Sequence, residues 1–295
     1  MDSVFMGCGY VGRQVAAREV MDGGSVEAIV RTDESASRLN ATGIHASVGD
    51  LEAGIPRHLK LGHKVVYWFA PPQPDGVQDR RIRNFLGSMD DRHGLPHRVV
   101  LISTTGVYGD CQGDWVTEDR ERRPQTGRAH RRVDAEDVVR NWCGANNITL
   151  AVLRVPGIYG EGKLPLERIR QQRPVLAPEF CPWSNRVHVE DLISACLLAA
   201  RIPTPAAAYN ISDGHPSTMT DFFFKVADAA GLKRPPSLDL EEAKKFLSAE
   251  MQSYLDESKR IDNRLMRDHL GVRVQFPTLD AGLREIFPGH RGGES

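Results

Sequence analysis

Ser3-Val4-Phe5-Met6 is a short apolar run that breaks directly into Gly7-Cys8-Gly9-Tyr10-Val11-Gly12, and a helix-compatible stretch from Val11 to Met21 follows. Apolar residues without alternation suit a strand buried on both faces, as in a parallel sheet. Parallel strands need a crossover, and Val26-Glu27-Ala28-Ile29-Val30, after Gly23-Gly24, supplies the second strand of a β–α–β unit. Within such a unit each glycine of G-x-G-x-x-G has its own task. Gly7 permits the tight turn, Gly9 lets a pyrophosphate approach the backbone, and Gly12 lets helix and strand pack closely. The helix N-terminus offers unpaired N–H groups to phosphate. Three glycines in a strand–helix turn also serve as packing devices. The flanking strands favour dinucleotide binding, with Gly7, Cys8, Gly9, Tyr10, Val11 and Gly12 as the phosphate loop.

The alternation continues. Ser35 to Thr42 reads as a short helix, Ile44 to Val48 as a third strand and Val65 to Phe69 as a fourth. A helix from Gln78 to Met89 leads to a fifth strand, Arg98 to Ile102. Helix Val133–Asn146, strand Thr149–Val155, helix Leu192–Ala200 and strand Ala208–Ser212 follow. Beyond Thr220 the pattern is mainly helical, at Asp221–Ala230, Leu240–Glu257 and Asp262–His269. This predicts an α/β fold: a Rossmann-type, doubly wound parallel sheet of about seven strands with a smaller, mainly helical C-terminal substrate lobe. The sheet domain is expected over residues 1–160 and 184–212, and the lobe over 161–183 and 213–295.

Composition narrows the partners. The chain has 38 Lys+Arg against 39 Asp+Glu, so it lacks the basic excess of a nucleic-acid binder and gives no reason to expect an anionic membrane as partner. Met1 to Phe5 has no basic segment, and apolar stretches such as Leu192–Ala200 are far shorter than the ~20 residues that span a bilayer. The five scattered cysteines form no CxxC pair and no HExxH occurs, so reduced thiols, no metal and a cytoplasmic location are expected.

At the end of the second strand, where an acid usually holds the adenosine ribose, stand Arg31-Thr32, with Asp33 displaced. An arginine there pairs with a 2′-phosphate, which favours NADP, with NAD as second choice; a solvated strand-end arginine is the alternative. Asp50-Leu51 after the third strand sits where the adenine would lie, although an Asp there also suits a turn. Ala70-Pro71 and Ser103, ending the fourth and fifth strands, complete the expected cofactor edge.

Later segments resemble the extended short-chain dehydrogenase/reductase family, the sugar-nucleotide epimerase and dehydratase group. Ser103-Thr104-Thr105-Gly106-Val107-Tyr108-Gly109 looks like its post-strand Ser/Thr motif ending in Val-Tyr-Gly. Leu153-Arg154-Val155-Pro156-Gly157-Ile158-Tyr159-Gly160 is similar to its Leu-Arg-x-x-x-x-Tyr-Gly segment. Val187-His188-Val189-Glu190-Asp191-Leu192 and Tyr209-Asn210-Ile211 follow in family order. The resemblance implies a small-molecule substrate held near Arg186, His188 and Tyr159, with Asn185 beside them. It also implies a homodimer formed by helices Gln78–Met89 and Val133–Asn146.

One part of the family pattern is missing. Between Gly109 and Ile158 there is no Tyr and no Lys, so the family's Tyr-x-x-x-Lys acid/base pair is absent. Anchoring on Glu136 places Arg128 at the Tyr position and Arg132 at the Lys position. A guanidinium keeps its proton, so Arg128 donates hydrogen bonds and stabilises a developing oxyanion but does not exchange protons. Thr104 is the candidate carbonyl-orienting group, and Tyr108 and His130 are the nearest substitutes for the lost tyrosine. The resulting expectation is an NADP(H)-binding oxidoreductase or epimerase-like enzyme acting on a polar anionic small molecule. Its rival is a non-catalytic NADP(H)-binding regulator or redox sensor.

Overall fold

Seven of the apolar runs assemble into one wholly parallel sheet in the computed structural model, which describes residues 1–246 and 256–289. The first four strands are β1 (Ser3–Met6), β2 (Val26–Val30), β3 (His45–Val48) and β4 (Val65–Trp68), followed by β5 (Arg98–Thr104). After the short β6 (Trp115–Val116) comes the long β7 (Thr149–Val155). Then come β8 (Gly157–Tyr159), α5 (Leu166–Arg170), β9 (Val175–Leu176), β10 (Trp183–Ser184) and β11 (Arg186–His188), before the sheet closes with β12 (Tyr209–Asn210), and α7 (Met219–Ala229) follows. The order is β12-β7-β5-β4-β1-β2-β3. Chain direction reverses between β1 and β4, the switch point at which doubly wound sheets place ligands, beyond the carboxyl ends of the strands.

Strand residues alternate between two buried layers. Phe5, Tyr67 and Val100 face one core, against α1 (Tyr10–Met21), α2 (Asp33–Asn40) and α6 (Val189–Ala199). Val4, Met6, Trp68 and Leu101 face the other, against α3 (Arg80–Gly87) and α4 (Gly127–Ala145). Each large side chain so buried contributes about 1.5–3 kcal/mol, which is why the strands read as unbroken apolar runs. Among the described residues, no helix is long and apolar enough to cross a membrane.

Element ends differ from the sequence reading where a capping side chain decides. α4 starts at Gly127 rather than Val133 because Thr126 Oγ1 accepts the Ala129 amide at 3.3 Å. α3 starts at Arg80 because the Asp79 carboxylate accepts from Ile82 at 3.2 Å. Of the expected helix Leu240–Glu257, α8 covers Leu240–Phe246, and residues 247–255 lie outside the described part. The outward side chains of α3 and α4 include paired ions, Arg83 with Asp134 at 2.5 Å and Arg80 with Asp75 at 2.9 Å.

The lobe has its own core of Tyr159, Ile169, Val175, Phe222, Phe223, Val226, Leu279 and Leu283. Besides helices it contains short strand pairs: β8 with β11, β9 with Ser237–Leu238, β10 with Ser217–Thr218. The tail does not stay in the lobe. Arg260–Ile261 pairs with β6, and Met266, Leu270 and Val272 pack into the sheet's core.

A buried polar chain ties the strand ends together. Arg154 on β7 donates to Glu136 on α4 through Nη2 (2.8 Å) and Nε (3.2 Å), and through Nη1 to the Tyr108 hydroxyl (2.8 Å). Ser103 Oγ also donates to Glu136 at 2.5 Å, and Tyr108 donates to Asn210 Oδ1 at 2.7 Å. Burial alone would lower the Arg154 pKa; the Glu136 carboxylate overrides this and holds it above the ordinary value. Glu136→Ala leaves the 4%-exposed Arg154 without its counter-ion and should cost about 3–5 kcal/mol, read as a lower midpoint in denaturant unfolding.

Candidate active site

At the switch point the glycine turn is built as its spacing requires. Gly7 has φ +85°, and a Cβ on it would lie 2.7 Å from the Ala70 amide nitrogen. A Cβ on Gly12 would meet the Gly7 carbonyl oxygen at 2.9 Å, so α1 can approach β1 only without one. Gly9 differs: a Cβ there would meet nothing within 4 Å. The first turn of α1 has no side-chain cap and no acidic residue, so its N–H groups point to open space. These features fit a dinucleotide's pyrophosphate.

The remaining cofactor-edge residues divide into two sets. Arg31 is exposed and makes no ion pair among the described residues, while Thr32 caps α2 by accepting from Ser35 at 3.3 Å. Pro71 is exposed at the end of β4, beside buried Ala70. Asp50 is a turn residue, its carboxylate accepting from Glu52 at 2.9 Å. The Leu51 and Cys8 side chains are core residues, and burial pushes the Cys8 thiol up to about 12. Ser103 is turned toward Glu136 and away from the cleft.

Beside this edge a cavity of about 600 Å³ lies between sheet and lobe. Thr104, Arg128, Arg132 and Arg186 all line it, so the structure brings these four predicted residues together. Thr104 Oγ1 accepts from the Gly106 amide at 3.2 Å, which leaves its O–H free to donate. Arg132 Nη1 is buried with no hydrogen-bond partner among the described residues. Burial pulls the Arg132 pKa down, opposed by the Asp79 carboxylate. A buried guanidinium nitrogen at the cavity wall calls for an acceptor, which a bound ligand would provide. Arg186 is buried over the Phe222 ring at 4.7 Å and donates to the Asn185 carbonyl oxygen at 2.7 Å.

Other predicted residues are placed elsewhere. The Tyr108 hydroxyl is used up between Arg154 and Asn210, and burial raises its pKa to about 12, against the pull of Arg154. It is therefore a structural link and does not replace the missing acid. His130 is exposed on α4. Tyr159 and His188 are buried in edge contact, ring centroids 5.1 Å apart, and neither lines the cavity. His188 instead caps α6, with Nδ1 3.3 Å from the Glu190 amide.

Several wall residues carry no sequence signal. Lys259 is buried, with Nζ 2.6 Å from both Glu257 Oε2 and the Gly109 carbonyl oxygen. It reaches the cavity because residues 258–261 are tied to Asp110, Gly113 and Asn185. Lys163 follows directly on the Tyr159-Gly160 segment, and the apolar wall of Trp183, Met219, Phe222 and Phe223 comes from the lobe. No group of three or more His, Cys, Asp or Glu among the described residues is placed to hold a metal.

The sequence profile of the NAD dependent epimerase/dehydratase family matches residues 82–212. Protein YeeZ of Escherichia coli is 30% identical over 188 residues, which are 63% of this chain and only 60% of that protein. A 4-hydroxy-2-methyl-3-oxo-4-farnesyl-3,4-dihydroquinoline-1-oxide ketoreductase of Stigmatella aurantiaca is 26% identical over 77% of this chain and 72% of its own. A solved protein of Silicibacter pomeroyi, described as functionally unknown, superposes with a TM-score of 0.83 and 28% identity, covering 97% of this chain and 98% of that one.

Gly7→Ala should destabilise the fold through its left-handed φ and the Ala70 contact. Gly9→Ala should change stability by less than about 1 kcal/mol yet abolish dinucleotide binding, because its methyl group would occupy the phosphate space. Thermal unfolding and dinucleotide titration of the two variants separate these effects. Near the cavity, burial raises Asp213 to about 6, above its unfolded value near 4. Protonated Asp213 thus favours the folded state, and this stability is lost as pH rises through about 6. Asp213→Asn should therefore stabilise the protein more at pH 8 than at pH 5, by about 1 kcal/mol, measured by urea unfolding at each pH.

Proposed function

We propose that the chain, whose residues 82–212 match the profile of the NAD dependent epimerase/dehydratase family, is an NADP(H)-dependent oxidoreductase that reduces a carbonyl on a small anionic molecule with an apolar body. The observation that carries this reading is the lining of the cavity. Among the described residues, Arg132 presents a buried, unpartnered Nη1, Arg128, Lys163, Arg186 and Lys259 also line the cavity, and the lining carboxylate Glu257 is paired with Lys259. The same cavity is lined by Ile158, Trp183, Met219, Phe222 and Phe223, with Arg186 stacked on the Phe222 ring. Such a wall suits a carboxylate or phosphate at one end and an apolar group at the other. Similarity to a ketoreductase over 77% of this chain supports reduction of a ketone over epimerisation.

The glycine turn and the α1 N-terminus would hold the pyrophosphate, and Arg31 the 2′-phosphate, which selects NADP over NAD. A nicotinamide dinucleotide held there would supply the hydride for reducing a carbonyl. Thr104 Oγ and Arg132 Nη1 donate hydrogen bonds to the carbonyl oxygen and stabilise the negative charge that develops on it. Arg128 adds positive charge at the same wall. A guanidinium holds the oxyanion through its N–H groups without surrendering a proton. The proton comes from solvent, which enters past exposed Lys163 and Trp183.

NADPH consumption across a panel of ketones with and without a carboxylate tests this reading. The fastest turnover is expected with acidic ketones that carry an aromatic or alkyl body. Arg132→Met should reduce kcat roughly 10²–10³-fold. Arg31→Ala should weaken NADPH roughly tenfold or more and leave NADH unchanged. Bound NADPH that survives the whole panel would sink the assignment.

A further inference from the structure

Lys163 stands where the lobe meets the glycine turn. The loop after β8 turns at Gly162 (φ +71°) and closes with the Lys163 amide on the Gly160 carbonyl oxygen at 3.0 Å. The loop lies directly on Tyr10: a Cβ on Gly160 would meet the Tyr10 hydroxyl at 2.7 Å, and that hydroxyl donates to the Glu161 carbonyl oxygen at 2.8 Å. Lys163 Nζ sits 5.1 Å from the Tyr10 ring centroid while its side chain also lines the cavity with Thr104 and Arg132. Tyr10 is the first residue of α1, so this ammonium lies beside the turn whose N–H groups lack partners.

Charge balance there is incomplete. Lys163 makes no ion pair among the described residues. Arg13, whose Cζ lies 5.8 Å from the same ring centroid, makes none either among the described residues. Of the two carboxylates nearest Tyr10, Glu190 is held by Arg18 at 3.0 Å, and Glu161 forms no ion pair among the described residues. Two cations beside one ring repel each other unless an anion lies between them. Arg132, whose unpartnered Nη1 is assigned above to the substrate, lines the same cavity as Lys163, so the loop borders both ligands.

We infer that Lys163 is a second anchor for the dinucleotide's pyrophosphate, delivered from the substrate lobe and set by the Tyr10–Glu161 contact. The inference rests on the dinucleotide reading above and adds a residue outside the glycine motif. Lys163 neutralises the phosphate face that the α1 amides leave exposed, and so ties cofactor binding to the loop that borders the substrate cavity. A charge contact of this kind depends on ionic strength and is shared by NADPH and NADH, unlike the Arg31 contact.

Fluorescence titration of the full chain with NADPH, NADH and 2′-phosphoadenosine, at low and high salt, tests the role. Lys163→Ala should weaken both dinucleotides by a similar factor, roughly tenfold, and flatten their salt dependence. It should leave 2′-phosphoadenosine, which lacks the pyrophosphate, unchanged. Lys163→Arg should restore most of the affinity. Unchanged dinucleotide affinity in Lys163→Ala, or an equal loss for 2′-phosphoadenosine, overturns the assignment while leaving the oxidoreductase reading intact. Wild-type protein that binds neither dinucleotide overturns both.

Discussion

The Arg154–Glu136 ion pair holds the cavity side of the sheet in register. It joins a strand to the helix that carries Arg128 and Arg132, and through Tyr108 and Asn210 it reaches the edge strand β12. A buried charge pair of this kind adds little net stability compared with apolar packing, but it tolerates few alternative geometries. The wall bearing Thr104, Arg128 and Arg132 is positioned by that pair from behind. The residues that form it, Ser103 and Tyr108 among them, are accordingly unavailable to a ligand.

A second constraint acts on the cofactor side. Gly7 and Gly12 bring β1, α1 and the end of β4 closer than any side chain would allow, while Gly9 leaves open space. Close packing and an exposed helix N-terminus thus arise from the same six residues. Between these two rigid walls lies the cavity, whose far side is supplied by the lobe. Its apolar half comes from the lobe's own core, and its buried Lys259–Glu257 pair comes from the returning tail.

Much of this frame was legible beforehand. The central sheet strands announce themselves because burial on both faces demands apolar runs, whereas the edge strand β3 (His45-Ala46-Ser47-Val48) is only partly buried and shows itself by its place in the alternation; the glycine spacing states its task once a strand stands on either side. Arg128 and Arg132 were legible by position, from the gap where Tyr and Lys are missing. The short strands of the lobe were not, since two or three residues carry no period. Nor were Lys163 and Lys259, whose neighbours in sequence say nothing of the cavity they reach. Tyr108, Tyr159 and His188 lie in recognisable motifs, yet their side chains serve packing and capping.

What the sequence determined by itself is therefore the local part: strand, turn and helix, the glycine turn, and the absence of Tyr and Lys between Gly109 and Ile158. Those follow from periodicity, glycine geometry and side-chain chemistry, which act over a few residues. The tertiary structure alone decided which polar side chains face the cavity and which are spent on one another. That choice depends on partners about 50 to 150 positions apart, as with Tyr108 and Asn210 or Lys259 and Gly109. Burial makes every such partner obligatory, because an unpaired polar group in the core costs more than the contact itself gains.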